Sequence, residues 1–212
     1  ISFLLTAVGF ASANVEKKSK IAVPASAERK LTEDERARFD YYFFEAQRLK
    51  DIQQLDAQLD ALRICLSIDS ANTALQSELG TVYMRLRRYS EAAESFKKAA
   101  STTPDNWWYQ VEYIRTLAGR EQYESAIRQI EQLQKYFPQR EEVYTMLASL
   151  CKQTGELDKA IAALNQLEVY AGKNEAISLE KFQIYLMLNK EKKAIEEIES
   201  LMLKYPQESR YK

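Results

Sequence analysis

Apolar residues follow most of this chain at the spacing i, i+3, i+4, i+7, which places them on one face of an α-helix. The helical pattern itself recurs with a period of 34 residues. Four alanines share one position of this period: Ala92, Ala126, Ala160 and Ala194. Three prolines share another: Pro104, Pro138 and Pro206. A fixed period of this length is typical of a solenoid of helical repeats.

Laid out at 34 residues without insertion, the chain gives five units, numbered 1 to 5 below: 39–72, 73–106, 107–140, 141–174 and 175–208. Each unit is predicted to hold two amphipathic helices. The prolines end units because proline cannot continue a preceding helix. Gly80 and the four alanines leave room for two helices to approach closely, and large residues at the Phe96 position fill the space between units. Since no helix pair can bury its apolar face alone, stacking must supply the core.

Unit 2 carries the most regular set of residues: Leu79, Gly80, Tyr83, Ala92, Phe96, Ala99 and Pro104. It resembles the tetratricopeptide repeat (TPR) family, which has these residue types at these positions, and the resemblance covers residues 39–208. It implies an all-α fold, a TPR-type α-solenoid: a right-handed superhelix of five helix-turn-helix repeats, with a leading helical extension. The outer units depart from the family pattern. Glu45 and Lys181 replace an apolar residue, and Gln58 replaces a small one.

The two ends of the chain have residue patterns that differ from the repeats of the 31–208 array. Residues 1–10, ISFLLTAVGF, are apolar and uncharged and precede Ala-Ser-Ala at 11–13, which is typical of the late part of a secretory signal peptide. The alternative is an N-terminal core segment. Residues 14–30 indicate a flexible linker, and Thr32 with Glu35 predicts a capping box at the first helix. Residues 209–212 are interpreted as the start of a further repeat in a longer chain.

Composition excludes several classes of function. The 30 Lys and Arg residues balance 31 Asp and Glu residues, so the chain lacks the basic footprint of a nucleic-acid-binding protein. It has no histidine, which removes the commonest general base and metal ligand. Cys65 and Cys151 lie more than two units apart, too far for a disulfide in a solenoid, and are predicted to be buried. We therefore expect no metal, cofactor or catalytic site.

In the TPR family the first helices line a concave groove, and the resemblance implies a groove formed by these residues: Phe43, Gln47, Ser77, Thr81, Met84, Arg85, Trp108, Val111, Arg115, Thr145, Ser149 and Lys152. The Lys, Arg and Asn clamp of chaperone-tail receptors is absent from these positions. Trp108 with Arg115, and with Met84 and Arg85 one unit away, resembles an aromatic and arginine hot spot for a peptide or helix. The alternative is that Trp107 or Trp108 packs between repeats.

The sequence thus predicts a non-enzymatic scaffold that binds an extended segment or helix of another protein, and no nucleic acid or small molecule. The signal remnant and linker resemble exported, periplasmic TPR proteins of Gram-negative bacteria of the Bacteroidota kind. An envelope role is therefore expected, in outer-membrane protein assembly or secretion, with the membrane contacted only through a partner. Two alternatives remain: a regulatory arm of an enzyme whose catalytic domain lies beyond residue 212, and a self-associating structural array.

Overall fold

A computed structural model describes residues 30–207 of the chain. The signal remnant, nearly all of the linker and the start of a further repeat lie outside the described residues. Within them the chain forms ten helices in five helix-turn-helix pairs: α1 Glu33–Asp51, α2 Leu55–Ile68, α3 Thr73–Arg85, α4 Tyr89–Thr102, α5 Trp107–Gly119, α6 Tyr123–Tyr136, α7 Glu141–Thr154, α8 Leu157–Ala171, α9 Glu175–Met187 and α10 Glu191–Lys204.

The helices begin at the same positions of the 34-residue period in nearly every unit. Counting the first residue of each unit as position 1, the first helices α3, α5, α7 and α9 begin at position 1, and all five second helices begin at position 17. Helix α1 begins earlier, at Glu33, so the leading extension is continuous with the first helix of unit 1. The capping box predicted there is confirmed. Thr32 Oγ1 accepts a hydrogen bond from the Glu35 amide, and the Glu35 carboxylate accepts one from the Thr32 amide.

N-caps and turn residues at the two ends of the first helices recur from unit to unit. Asn72, Asn106 and Asn174 cap α3, α5 and α9, each accepting from the amide three residues later, which satisfies a free donor of the first turn. Position 15, in the turn between the two helices, has a positive φ in every unit. It is occupied by Gln53, Arg87, Glu121, Gly155 and Asn189. One left-handed residue therefore makes each turn, and the chain uses glycine for it once.

The small residues of the repeat lie where two helices meet, as predicted. Ala92, Ala126, Ala160 and Ala194 are fully buried. A Cβ added to Gly80 would lie 2.8 Å from the ring of Phe96. Helices α3 and α4 therefore approach as closely as they do because position 80 has no side chain.

The hydrophobic core is divided into two clusters. One joins the helices of units 1 and 2, and includes Leu62, Val82 and Phe96. The other joins units 3 to 5, and includes Ile130, Cys151 and Ile184. The half-buried ring of Tyr113, on α5, packs against both clusters. Each helix packs mainly on the helices before and after it in sequence, as expected of a solenoid.

The two cysteines lie in different clusters. Cys65 is in the core of units 1 and 2 and Cys151 in the core of units 3 to 5, and both are fully buried free thiols. Burial raises the pKa of each thiol, so both remain protonated near neutral pH. The prediction that they are small buried residues without a disulfide is confirmed. Within residues 30–207, none of the helices combines the length and apolar character needed to cross a bilayer.

Candidate partner-binding face

The first helices of the units lie side by side and present one shared surface, which we call the first-helix face: the exposed sides of α1, α3, α5, α7 and α9. Two ion pairs connect neighbouring first helices. Lys50 Nζ lies 2.8 Å from a carboxylate oxygen of Glu78, and Lys152 Nζ lies 2.7 Å from one of Glu180. Both pairs join position 12 of one unit to position 6 of the next, so the same contact is used near both ends of the array.

The predicted groove residues all retain solvent exposure. Six are exposed: Thr81, Arg85, Trp108, Arg115, Thr145 and Ser149. Six are half-buried: Phe43, Gln47, Ser77, Met84, Val111 and Lys152. None belongs to the fully buried core. The repeat phase thus places them on accessible parts of the first helices, where a partner could reach them.

The adjacent tryptophans of α5 have different environments. The ring of Trp107 meets Phe137 edge-on at 5.4 Å between centroids, and the guanidinium of Arg140 lies 4.0 Å from the Trp107 ring centre. This side chain packs against the segment between α6 and α7, at the end of its own unit. Trp108 is 69% exposed, near the middle of the first-helix face. Trp107 thus stacks with Arg140, whereas Trp108 projects into solvent.

Most cations of the first-helix face are already paired. Arg115 lies 2.8 Å from Glu112 on its own helix, and Lys50 and Lys152 pair with glutamates of the following unit. Arg85 forms no ion pair within the described part of the chain. The face therefore carries little unbalanced charge around Trp108. A partner that binds there would be held mainly by the burial of apolar surface.

Comparison with known proteins assigns the architecture. Residues 83–150 and 117–171 match the family model described as tetratricopeptide repeat. A crystal structure of MamA superposes with a TM-score of 0.64 over 82% of this chain and 96% of MamA, at 17% sequence identity. The fold is a TPR-type α-solenoid. MamA from Desulfovibrio magneticus RS-1 superposes with a TM-score of 0.60 over 81% of this chain and 97% of that one, at 16% identity.

Two further proteins match a smaller share of this chain. YrrB, described as a TPR protein with an unusual peptide-binding site, superposes with a TM-score of 0.58 at 19% identity, over 76% of this chain and 83% of YrrB. Anaphase-promoting complex subunit 3 of Dictyostelium discoideum is 28% identical over 101 residues. That alignment covers 47% of this chain and 10% of the Dictyostelium protein, so the match spans a small part of the curated relative.

A buried ion network joins units 4 and 5, and sequence reasoning did not foresee it. Lys181 on α9 is 4% exposed and lies 2.6 Å from Glu168 on α8 and 2.9 Å from Glu197 on α10. Lys173 contacts the same two carboxylates at 3.0 and 2.5 Å. Ser178 donates a further hydrogen bond to Glu197. Two positive and two negative charges thus balance in this cluster.

Pairing within this network changes the pKa of three of its members. Burial alone would raise the pKa of Glu168 and Glu197, but their hydrogen bonds to Lys181 and Lys173 outweigh it and lower the pKa of both carboxyls. Burial likewise opposes the charged form of Lys173, and its two glutamate partners outweigh that effect and raise its pKa. The only sequence signal was the presence of lysine at a position where the TPR family has an apolar residue.

A second feature that sequence reasoning missed is a set of hydrogen bonds to the prolines that end units. Side chains at position 4 of a first helix donate to the carbonyl of the proline that precedes the helix. Gln110 Nε2 donates to the Pro104 carbonyl at 3.2 Å, and the Tyr144 hydroxyl donates to the Pro138 carbonyl at 2.5 Å. Gln110 also donates to the Ala100 carbonyl at 2.8 Å. These bonds fix α5 and α7 to the ends of the preceding second helices, and so help to orient the first-helix face.

Proposed function

We propose that this chain is a non-enzymatic scaffold that binds a segment of a partner protein across its first-helix face. The observation that carries the proposal is Trp108, a large aromatic side chain that is 69% exposed on the first helix of the middle unit. Exposed aromatic residues of this kind are typical anchors of protein interfaces. The stacked helices of such arrays form extended concave surfaces that suit a peptide or helix.

The chemistry of the face favours an apolar or amphipathic segment over a charged one. Besides Trp108, the exposed first-helix residues include Leu179 and Met187 on α9. Small hydroxyl residues Thr81 and Ser149 flank these anchors and can bond to a ligand backbone. Since Arg115 is paired with Glu112, we expect partner binding to depend weakly on salt.

The relatives support binding to protein rather than to another class of ligand. YrrB is described by its peptide-binding site, and anaphase-promoting complex subunit 3 is by its name a component of a larger assembly. We carry over from them only the class of partner, a peptide or protein segment. No feature of residues 30–207 favours the alternative of a regulatory arm of an enzyme.

We further propose that the chain is exported and works in the bacterial envelope, in outer-membrane protein assembly or secretion. This rests on the apolar run 1–10 and the Ala-Ser-Ala that follows it. Residues 1–30, preceded by Met and a short basic segment that completes a signal peptide and fused to a reporter that is active only after export, should yield activity in cells. A cytoplasmic, inactive reporter would contradict export while leaving the binding proposal intact.

The binding proposal is tested by Trp108→Ala, with Tyr89→Ala as the matched control, since Tyr89 is an exposed aromatic residue of a second helix. Each protein is immobilised and exposed to envelope extract, and captured proteins are identified by mass spectrometry. We expect one or more proteins to bind the unchanged chain and the Tyr89→Ala control but not Trp108→Ala. All three should have the same helical circular dichroism. Equal capture by all three would show that Trp108 is not the anchor.

A further inference from the structure

We propose that this chain has a second docking surface, at the turns of units 2 and 3, which binds an acidic segment of a protein. The surface, which we call the arginine corner, consists of Arg85 at the end of α3, Arg87 in the turn between α3 and α4, and Arg120 in the turn between α5 and α6. It is separate from the anchor of the first-helix face, because Trp108 lies near the opposite end of the first helices, about 16 Å away along the helix axis.

Within residues 30–207, no ion pair offsets the charges of the arginine corner. Arg85 and Arg87 are exposed, and their side chains form no hydrogen bond with other described residues. Arg120 is half-buried and reaches back to the preceding unit, where its Nη2 donates to the Ser90 hydroxyl at 3.4 Å. Since Ser90 lies three residues after Arg87, this bond draws Arg120 towards the turn of unit 2.

Another junction shows which group is missing at the arginine corner. Between units 4 and 5, Lys190 in the turn of unit 5 reaches back to position 18 of unit 4 and pairs with Asp158 at 2.9 Å. Arg120 likewise reaches position 18 of unit 2, but Ser90 stands there and carries no charge. Position 18 is acidic in units 1, 3 and 4: Asp56, Glu124 and Asp158. The corner therefore has the cation of this contact and lacks its carboxylate.

Space for a ligand is open beside Arg120. At the junction of units 3 and 4, Gln153 at position 13 reaches back and donates to the Tyr123 hydroxyl at 3.1 Å. Position 13 of unit 3 is Gly119, and a Cβ added there would meet no side chain of another helix within 4 Å. Units 1 and 4 are present on either side of the corner, so its exposure does not result from an end of the array. A ligand can approach Arg120 from solvent.

The donors of the arginine corner fit carboxylates. A guanidinium presents a planar set of N–H groups that can hold both oxygens of a carboxylate, and such charge-assisted hydrogen bonds are stronger than neutral ones. Arg88 already makes a contact of this class within the same turn, since its Nε and Nη2 lie 2.8 and 2.6 Å from a carboxylate oxygen of Glu91. Several acidic residues in succession would give the three free arginines equivalent partners.

The size of the corner favours a short acidic segment over a nucleic acid or an anionic membrane. Exposed carboxylates limit it on both sides: Asp56 in unit 1, and Glu121 and Glu124 in unit 3. They repel a long polyanion or a charged surface that extends past the arginines. The 30 basic and 31 acidic residues of the whole chain likewise offer no wider basic surface. A flexible segment of a few residues can contact the arginines and avoid these carboxylates.

The first test measures the binding of a fluorescently labelled hexaglutamate peptide to the 212-residue chain by anisotropy at low salt. Arg85→Gln with Arg87→Gln is compared with Arg38→Gln and Arg128→Gln together, which removes the same charge from exposed positions of α1 and α6. We expect the corner variant to bind at least about tenfold more weakly, because it loses charge-assisted hydrogen bonds. The control should bind like the unchanged chain, and rising salt should weaken both.

The decisive test supplies the missing carboxylate. Ser90→Asp gives unit 2 the residue type that pairs with a turn cation in unit 4, so it should occupy Arg120 and weaken peptide binding. An acidic residue in the first turn of α4 also suits the helix dipole, so helical circular dichroism should be unchanged. Gln132→Glu adds the same charge at an exposed position of α6 and should leave binding unaltered. Trp108→Ala should bind the peptide like the unchanged chain, which separates this site from the first-helix face.

Four results would overturn the proposal. The unchanged chain would fail to bind the peptide, or the corner variant and its control would lose binding equally. Ser90→Asp would bind as tightly as the unchanged chain. Polyuridylate or phosphatidylglycerol vesicles would bind the unchanged chain more tightly than the peptide and lose this binding in the corner variant, which would assign the corner to a nucleic acid or a membrane instead.

Discussion

Lys181 carries a positive charge into a position that units 2 and 4 fill with Leu79 and Leu147. Removing a charge from water is costly, and the cost is offset here because two carboxylates lie within 3 Å of its Nζ. Glu168 and Glu197 in turn share Lys173 as a second cation. The residue is tolerated only because all four groups are present, so removing one should leave an uncompensated charge in a buried site.

We expect Lys181→Met to lower the free energy of unfolding by about 3–5 kcal/mol at pH 7, because two buried carboxylates would then share one cation. Lys192→Met is the control, since the Lys192 side chain is 92% exposed and should change stability by less than about 1 kcal/mol. Urea denaturation followed by circular dichroism measures both. A loss no larger than that of the control would contradict the structural role assigned to Lys181.

The same network predicts the pH dependence of stability. The lowered pKa of Glu168 and Glu197 means that their contribution is present above their ordinary value of 4.5 and is lost as the pH falls through the lowered values. The raised pKa of Lys173 means that its contribution is present below its ordinary value of 10.5 and is lost as the pH rises through the raised value. The difference between Lys181→Met and the unchanged chain should therefore shrink in acid, where the carboxyls are protonated.

At the scale of helices, the units are joined by polar contacts as well as by apolar packing. The Tyr144 hydroxyl binds the Pro138 carbonyl, and Gln110 binds the carbonyls of Pro104 and Ala100. A proline ends a helix but leaves carbonyls without helical partners, and these side chains supply the missing donors. Burial, followed by hydrogen bonding with Tyr170, raises the pKa of Tyr144 to about 12. The hydroxyl therefore keeps the proton that it donates at ordinary pH.

Tyr144→Phe should lower the free energy of unfolding by about 0.5–1.5 kcal/mol for each hydrogen bond lost, because it removes the hydroxyl and leaves the ring packing in place. Tyr89→Phe is the matched control, since Tyr89 is exposed and its hydroxyl makes no hydrogen bond within the described residues. Thermal and urea unfolding of the two variants would be compared. A Tyr144→Phe protein as stable as the control would indicate that the proline carbonyl is satisfied by water.

At the scale of the whole array, stability is divided between the core of units 1 and 2 and the core of units 3 to 5. Helix α4 contributes small buried residues at their boundary, Ala99 and Ala100, and Tyr113 is packed against both cores. Arrays whose units contact only their neighbours behave as sums of unit and junction energies. The junction between α4 and α5, which Tyr113 bridges, is therefore where these two halves would separate.

We expect Tyr113→Ala to uncouple the halves. In native-state hydrogen exchange, amides of α1 to α4 and amides of α5 to α10 should then report two different opening free energies. The fluorescence of Trp107 and Trp108, both in the second half, should no longer follow circular dichroism during unfolding. Tyr136→Ala, which removes another half-buried tyrosine, is the control. A single coincident transition in Tyr113→Ala would show that the cores are coupled by other contacts.

Much of the fold could be predicted because the 34-residue period repeats the same local signals. The capping box at Thr32, the burial of the four alanines and the free buried cysteines all follow from spacing and residue type. The left-handed residue at position 15 could not be predicted, since glutamine, arginine, glutamate and asparagine stand there as well as glycine. The candidate site was predicted as a set of accessible first-helix positions, but the different environments of Trp107 and Trp108 were not.

The sequence by itself determined the period and the helices, because these depend on local spacing along one chain. The resemblance to the TPR family implied which side of each first helix is accessible. The tertiary structure decided which of the apolar side chains are covered. Ile127, Ile161 and Ile195 are the same residue at the same position, yet the first two are buried and the third is exposed. Likewise, Lys181 is acceptable inside the protein only because Glu168 and Glu197 meet it there. Burial and charge compensation depend on neighbours that are distant in sequence, and only the packed array brings those neighbours together.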